Sequence, residues 1–294
     1  VILRAARSEH ATGWLFVAPA VILIGIFGVI PIGWSLILSF QHNDLISPPT
    51  WVGLDNYKAL KDDPVFTESV KRTIVYTLLF VPLSVGGALL IALALNAPLR
   101  LGTLYRTAVF IPVATSTVAT GIIFNWLMEP TYGVINYLLS KVGVGPEGFF
   151  QNPDQALYCI VAMTVWGWLG FNVIIYLAAL QGVPEELLEA ARIDGCGRVA
   201  TFRHVTWPLL GPATLFLVVW STINALQVFD EIYVTTHGGP LHATTVIVYY
   251  LYQQAFEFFH GGYGAAIAYV LFAATLVISL IQLWYGSRRV HYTS

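Results

Sequence analysis

Six polar or aromatic side chains, Asn125, Trp126, Asn172, Tyr176, Asn224 and Gln227, stand in otherwise apolar stretches of the chain, with Trp168 nearby. Asn and Gln donate and accept hydrogen bonds, while Trp and Tyr offer flat apolar faces with a polar tip. Together they supply the chemistry that holds a carbohydrate or polyol. Asn172 and Tyr176 are four residues apart and Asn224 and Gln227 three apart, so each pair shares a helix face. A polar group in an apolar span is costly unless it faces a cavity or a neighbouring helix, so ligand contact and helix-helix bonding both stay open for each residue. Asp230 and Glu231, just beyond the fifth apolar stretch, are expected to meet a loop or an external protein.

Bond-making chemistry is not expected of this chain. No Gly-x-x-x-x-Gly-Lys-Ser/Thr loop occurs, so ATP would have to be bound elsewhere. The histidines are scattered, with His10, His204 and His291 predicted on the cytoplasmic side and His42, His237, His242 and His260 on the outer side. Cys159 and Cys196, at a span edge and in a polar connection, make neither a disulfide framework nor a metal site. The Gly-rich stretches at 238–240 and 261–264 lack the lysine of a phosphate loop and read as tight turns. The expectation is no catalytic residue, no metal, no cofactor and no nucleic-acid partner.

The elements that must position these residues are membrane helices. Of 294 residues 57% are hydrophobic and 10% charged, where a soluble domain carries about 25% charged. Six apolar stretches reach spanning length, at about 14–40, 73–95, 107–128, 157–180, 209–229 and 265–285. Pro31, Pro82 and Pro112 inside three of them are read as kinks. The first stretch is too long for a cleavable signal peptide. The aromatic segment 240–262 reads as an outer amphipathic helix leading into the last span. Nine Lys and Arg (Arg4, Arg7, Arg100, Arg106, Arg192, Arg198, Arg203, Arg288, Arg289) lie at the ends and alternate loops, against five (Lys58, Lys61, Lys71, Arg72, Lys141) in the others. That bias predicts cytoplasmic termini.

One connection is unlike the rest. From 184 to 212 the chain reads PEELLEAARIDGCGRVATFRHVTWPLLGP, charged and helix-prone between two spans. Pro184 suits a helix start, Glu185, Glu186 and Glu189 suit the first turns, and Gly195 and Gly197 interrupt the helix before a second piece near 198–205. The product is a helix-turn-helix elbow on the cytoplasmic side.

The order Glu189-Ala190-Ala191, Asp194-Gly195, Phe202, Pro208 resembles the coupling motif, the EAA loop, of permease subunits of binding-protein-dependent ABC importers. Cys196, Val205 and Trp207 depart from the usual alanine, isoleucine and leucine, which bears on the packing of the loop. The outer segment from Thr235, WVGLDNYKAL after the first span, and Arg106 to Pro112 extend the similarity to the sugar and glycerol-phosphate permeases, first-subunit type. The resemblance implies an all-α polytopic membrane protein with six transmembrane helices and the ABC type I importer permease fold. It divides the chain into a cytoplasmic segment 1–13 and a permease domain 14–294 with the elbow at 184–208. It further implies a second homologous permease subunit, two copies of a cytoplasmic ATPase that bind ATP and Mg, an extracytoplasmic solute-binding protein, and residence in the bacterial cytoplasmic membrane. Glu189 would touch the ATPase, Ala190 and Ala191 would permit close approach, and Gly195 would permit the turn. A di- or oligosaccharide is the expected solute, because the spans hold no interior Lys or Arg to balance a phosphate. Glycerol-3-phosphate or a glycerophosphodiester is the alternative. A secondary transporter or a membrane scaffold is the alternative of another class, without the matched broken helices and buried ionisable pairs expected of a transporter.

Overall fold

The computed structural model describes residues 2–44, 46–97 and 100–288, with side chains from Gly13 onward. Arg289 and His291, and the side chains of Arg4, Arg7 and His10, lie outside the described residues. In chain order the first elements are α1 (Ile2–Ile24), α2 (Ile30–Ser39), β1 (Gln41–His42), β2 (Thr50–Trp51), α3 (Asp55–Asp62), α4 (Pro64–Leu95), α5 (Gly102–Phe110), α6 (Thr117–Leu127) and α7 (Val134–Lys141). There follow α8 (Ala156–Gln181), α9 (Glu185–Ile193), α10 (Arg198–Thr201), α11 (Trp207–Leu209), α12 (Gly211–Leu226), α13 (Asp230–Thr235), α14 (Ile247–Tyr252) and α15 (Gly261–Ser287). Among the described residues, four helices are long and apolar enough to cross a membrane unbroken: Gly13–Ser39, Pro64–Leu95, Ala156–Gln181 and Gly261–Ser287.

Two expected spans are corrected. The stretch 107–128 is not one kinked helix: Gly102–Ala114 and Thr117–Leu127 meet at 98°. The Ile111–Ala114 turn around Pro112 is 3-10, and Thr115 and Ser116 are both extended. Pro112 has no N–H to continue the ladder, and the two extended residues then turn the chain sharply. The stretch 209–229 ends at Leu226, and Gly211–Leu226 meets the helical run Arg198–Leu209 at 64°. Pro212, at the start of α12, lacks the N–H that would carry α11 straight into it. Counting each bent pair as one span gives six. The chain is therefore an all-α, multi-pass membrane protein.

The fold resolves into two units. One comprises Val1–Asp62 with Leu251–Val270. Here α1 passes through a wide π-helical turn, Gly25–Val29, into α2. The turn lies directly before Pro31, whose missing N–H leaves a preceding carbonyl without its regular partner. Large apolar side chains along this span, from Trp14 to Ile37, are exposed, as lipid-facing groups are. WVGLDNYKAL folds back onto the end of α2: β2 pairs antiparallel with β1, and Asn56 Nδ2 donates to the carbonyls of Ser39 and Gln41, each at 2.9 Å. Tyr269 of α15 donates to the Ile32 carbonyl.

The other unit comprises Asp63–Tyr250 with Leu271–Ser294. Its core is the triple contact of α4, α8 and the α11–α12 run. Val85, Ala88, Ala92 and Leu95 of α4 meet Val173, Tyr176, Leu177 and Leu180 of α8 and, beyond them, Leu210 and Leu217. Ala88 and Ala92, one turn apart, let the helices approach closely. Gly170 does the same for the bent third span. A Cβ on Gly170 would lie 2.3 Å from the Val109 carbonyl oxygen and 2.9 Å from Val113 Cγ2. Asp63 caps α4 by accepting from the N–H groups of Val65 and Phe66, and Tyr250 OH donates to the same carboxylate at 2.5 Å. The segment expected as an outer amphipathic helix is helical over Ile247–Tyr252, continues as a π-helical turn to Glu257, and buries Ile247, Tyr249 and Tyr250.

Candidate functional site

Beyond the C-terminus of α12 lies a polar cavity of about 330 Å³. Asn224, Gln227, Asp230 and Glu231 line it from the α12–α13 side, Tyr76 and Phe80 from α4, Thr117 from α6, and Thr164 and Trp168 from α8. The broken third span makes room for it: Thr117 is the first residue after the 98° bend. Asn224 ties its amide to the Trp220 carbonyl at 2.8 Å, which holds the side chain and leaves its carbonyl oxygen free of that bond. Among the described residues, no Lys or Arg lines it. The wall therefore combines carboxylate and amide acceptors, hydroxyl donors and one indole face.

Asp230 and Glu231, expected at a loop or external protein, belong to this cavity instead, because α13 turns back toward α6 right after the span. Burial pushes the Glu231 carboxyl above its ordinary value near 4.5, and the Asp230 charge adds to the rise. A raised value means that the folded state holds this proton more tightly than the unfolded one. The stability it contributes is complete below pH 4.5 and is lost as pH rises through the raised value. Glu231→Gln is accordingly expected to flatten the decline in thermal midpoint as pH rises above 4.5. Parallel wild-type and variant profiles in a fluorimetric melt would show that the carboxyl is not desolvated.

The structure separates the other sequence-predicted path residues. Asn172 is buried, and its Nδ2 donates to Ser84 Oγ at 2.7 Å between α8 and α4. Tyr176 is buried too, and its hydroxyl donates to Thr214 Oγ1 at 3.2 Å between α8 and α12. Neither lines the cavity. Asn125 Nδ2 donates to the carbonyls of Val234 and Thr235 at 3.3 and 3.4 Å, joining α6 to α13, and lines a separate recess with Glu129, Gln151 and Pro240. Trp126 is exposed. Thr117, Thr164 and Tyr76 were not singled out from the sequence. Threonine is nearly neutral in hydropathy, and Thr164 also bonds the Ile160 carbonyl within its own helix, so nothing marks it out.

The elbow is built by local rules. Pro184 stands at the N-cap of α9, and Glu185 and Glu186 in the first turn meet the positive end of the helix dipole. At the other end Gly195 adopts φ +77°, its N–H donates to the Arg192 carbonyl at 3.1 Å, and the Cys196 N–H donates to the Ala191 carbonyl at 2.9 Å. This pair is the Schellman pattern, which requires a left-handed residue and so favours glycine. Ala191 is buried, whereas Glu189, Ala190 and Asp194 are exposed. Ile193 and Val199, 86% and 82% exposed, flank the turn as apolar knobs on a polar surface. Phe202 is half-buried against the α4–α8–α12 core and rests near Trp207, with ring centroids 6.2 Å apart. Pro208 is exposed in α11. An exposed tip is thus connected through Phe202 to the helices that carry the cavity.

Comparison with known proteins agrees with this architecture. The chain is 37% identical over 289 residues to the lactose transport system permease protein LacF of Rhizobium radiobacter, covering 96% of each chain. It is 32% identical over 281 residues to the sn-glycerol-3-phosphate transport system permease protein UgpA of Agrobacterium fabrum, covering 95% of this chain and 96% of that one. A crystal structure of a bacterial ABC transporter involved in import of the acidic polysaccharide alginate contains a chain of the same fold, with a TM-score of 0.87 at 24% identity over 98% of this chain and 99% of that one. Residues 69–291 match the family described as binding-protein-dependent transport system inner membrane component, and with the bent spans and polar elbow in place the chain belongs to that family of ABC importer permeases.

Proposed function

We propose that this chain is one permease half of an ATP-driven importer whose solute is a neutral di- or oligosaccharide. The observation that carries the choice of solute is the cavity wall: Asn224, Gln227, Asp230 and Glu231 beside Trp168, with no Lys or Arg lining it among the described residues. Sugar hydroxyls donate well to carboxylate and amide oxygens, and a sugar's C–H face packs on indole. A phosphate dianion there would face two acidic side chains without a cation, which is strongly unfavourable in a desolvated site. The names of the relatives divide between a sugar and a phosphorylated polyol, and the cavity chemistry supports the sugar.

In this reading Asn224 and Gln227 touch the solute, Asn172 and Tyr176 hold the helices that frame it, and Asn125 fixes α13 against α6. A second homologous permease completes the path. Two ATPase copies bind ATP and Mg, and an extracytoplasmic binding protein delivers the solute. Both termini and the elbow lie on the cytoplasmic side. Closure of the ATPase pair on ATP moves α9 as a lever, with Glu189 meeting the ATPase and Ile193 and Val199 seated in its surface. The displacement passes through Phe202 to α4, α8 and α12 and exposes the cavity to alternate sides. ATP-dependent uptake by the reconstituted complex tests the solute: unlabelled di- or oligosaccharide is expected to compete and sn-glycerol-3-phosphate not to. The reverse order would assign the same machinery to a phosphorylated polyol.

A further inference from the structure

Apart from the cavity and the elbow, a wide groove of about 630 Å³ is formed where α4 ends and α5 begins. Two arginines, Arg100 and Arg106, line it together with Asn96, Thr103 and the backbone of Gly102, and among the described residues no carboxylate lines it. Arg106 Nη2 donates to the Leu95 carbonyl at 3.2 Å, which holds this guanidinium at the groove. Neither arginine forms an ion pair among the described residues, where the pairs present are Lys58–Asp55 and Lys71–Glu68. The first turn of α5 also has no side-chain cap. Beside the arginines, Leu101, Leu104 and Tyr105 are exposed.

Two uncompensated guanidiniums in one recess select an anion with several oxygens, because the planar fork matches a phosphate. The exposed leucines and tyrosine select among phosphates. Apolar side chains beside basic ones on a short helix at the end of a span suit the level of the membrane where acyl chains meet headgroups. A free phosphate would leave those apolar groups in water. We propose that the α4–α5 groove is a binding site for the headgroup of an anionic phospholipid, with Arg100 and Arg106 on the phosphate and Leu101, Leu104 and Tyr105 along the upper acyl chains. On the proposed orientation the site lies in the cytoplasmic leaflet; the lipid chemistry does not depend on the solute.

The test is native mass spectrometry of the assembled complex taken from nanodiscs of equal phosphatidylglycerol and phosphatidylcholine. The wild type is expected to retain phosphatidylglycerol preferentially. Retention should fall at least about five-fold in Arg100→Gln/Arg106→Gln and stay unchanged in Lys141→Gln, a control in another loop. Should the double glutamine variant not assemble, Arg100→Lys/Arg106→Lys keeps the charges but loses the fork, and is expected to lower retention about two-fold. Equal retention of the two lipids by the wild type, undiminished retention in the arginine variants, or loss of the lipid to millimolar inorganic phosphate would overturn the proposal, the last by identifying a free-phosphate site.

Discussion

Charge reversal at Glu189 is expected to leave the protein in the membrane at the wild-type level while lowering ATP-driven uptake at least about ten-fold. The carboxylate is exposed on α9 and has no intramolecular hydrogen-bond partner among the described residues. Its loss therefore removes nothing from the fold, and a surface change of this kind alters stability by about 0.5 kcal/mol or less. A charged group seated against a partner is another matter: removing one member of such a pair costs about 2 kcal/mol or more, which corresponds to roughly thirty-fold. Glu186→Lys, in the first turn of the same helix, meets only the helix dipole, and its expected cost stays below about 1 kcal/mol. Membrane immunoblots beside uptake assays separate the two variants. Equal uptake by Glu189→Lys and wild type would remove the coupling role from this residue.

Gly170→Val is expected to act on the fold itself. The Cβ alone would stand 2.3 Å from the Val109 carbonyl oxygen and 3.1 Å from Phe110 Cα, so α5 must move away from α8. The obstacle is backbone and cannot swing aside as a side chain would. Overpacking of this kind costs about 1–3 kcal/mol, and more where backbone must shift. The expected result is a thermal midpoint in detergent lower by about 5 °C or more, with reduced yield of assembled complex. Gly167, three residues earlier on α8, has open space where a Cβ would go, so Gly167→Ala is the matched control and should behave as wild type. A normal melt for Gly170→Val would contradict the close crossing of the third span over α8.

Hydropathy located the continuous spans well because lipid exposure writes itself into composition: the expected 157–180 and 265–285 lie within Ala156–Gln181 and Gly261–Ser287. The 98° break in the third span left no comparable mark. Ile111, Val113 and Ala114 keep the window apolar through the bend, and a proline in a membrane helix is compatible with a mild kink or a full break. The cavity was half visible. Asn224 and Gln227 stood out as amides in an apolar run, but Glu231 reaches the wall only because α13 folds back, a tertiary event without local signature. Asn172 and Tyr176 carry the same sequence signal as Asn224. Ser84 and Thr214, distant in sequence, are what give them a different setting. The elbow was the most legible feature, since Pro184, the first-turn glutamates and Gly195 are each dictated by local backbone chemistry.

Site-specific photocrosslinking from position 189 of the assembled complex tests the central claim most directly. With a photoreactive residue in place of Glu189 and ATP present, the adduct is expected to form with the ATPase subunit and with no other protein. A probe at Asn224 in the same complex should leave the ATPase unlabelled. An adduct from position 189 to the extracytoplasmic binding protein, or labelling of the ATPase from position 224, would contradict the assignment of the elbow as the coupling surface and of the cavity as the solute path.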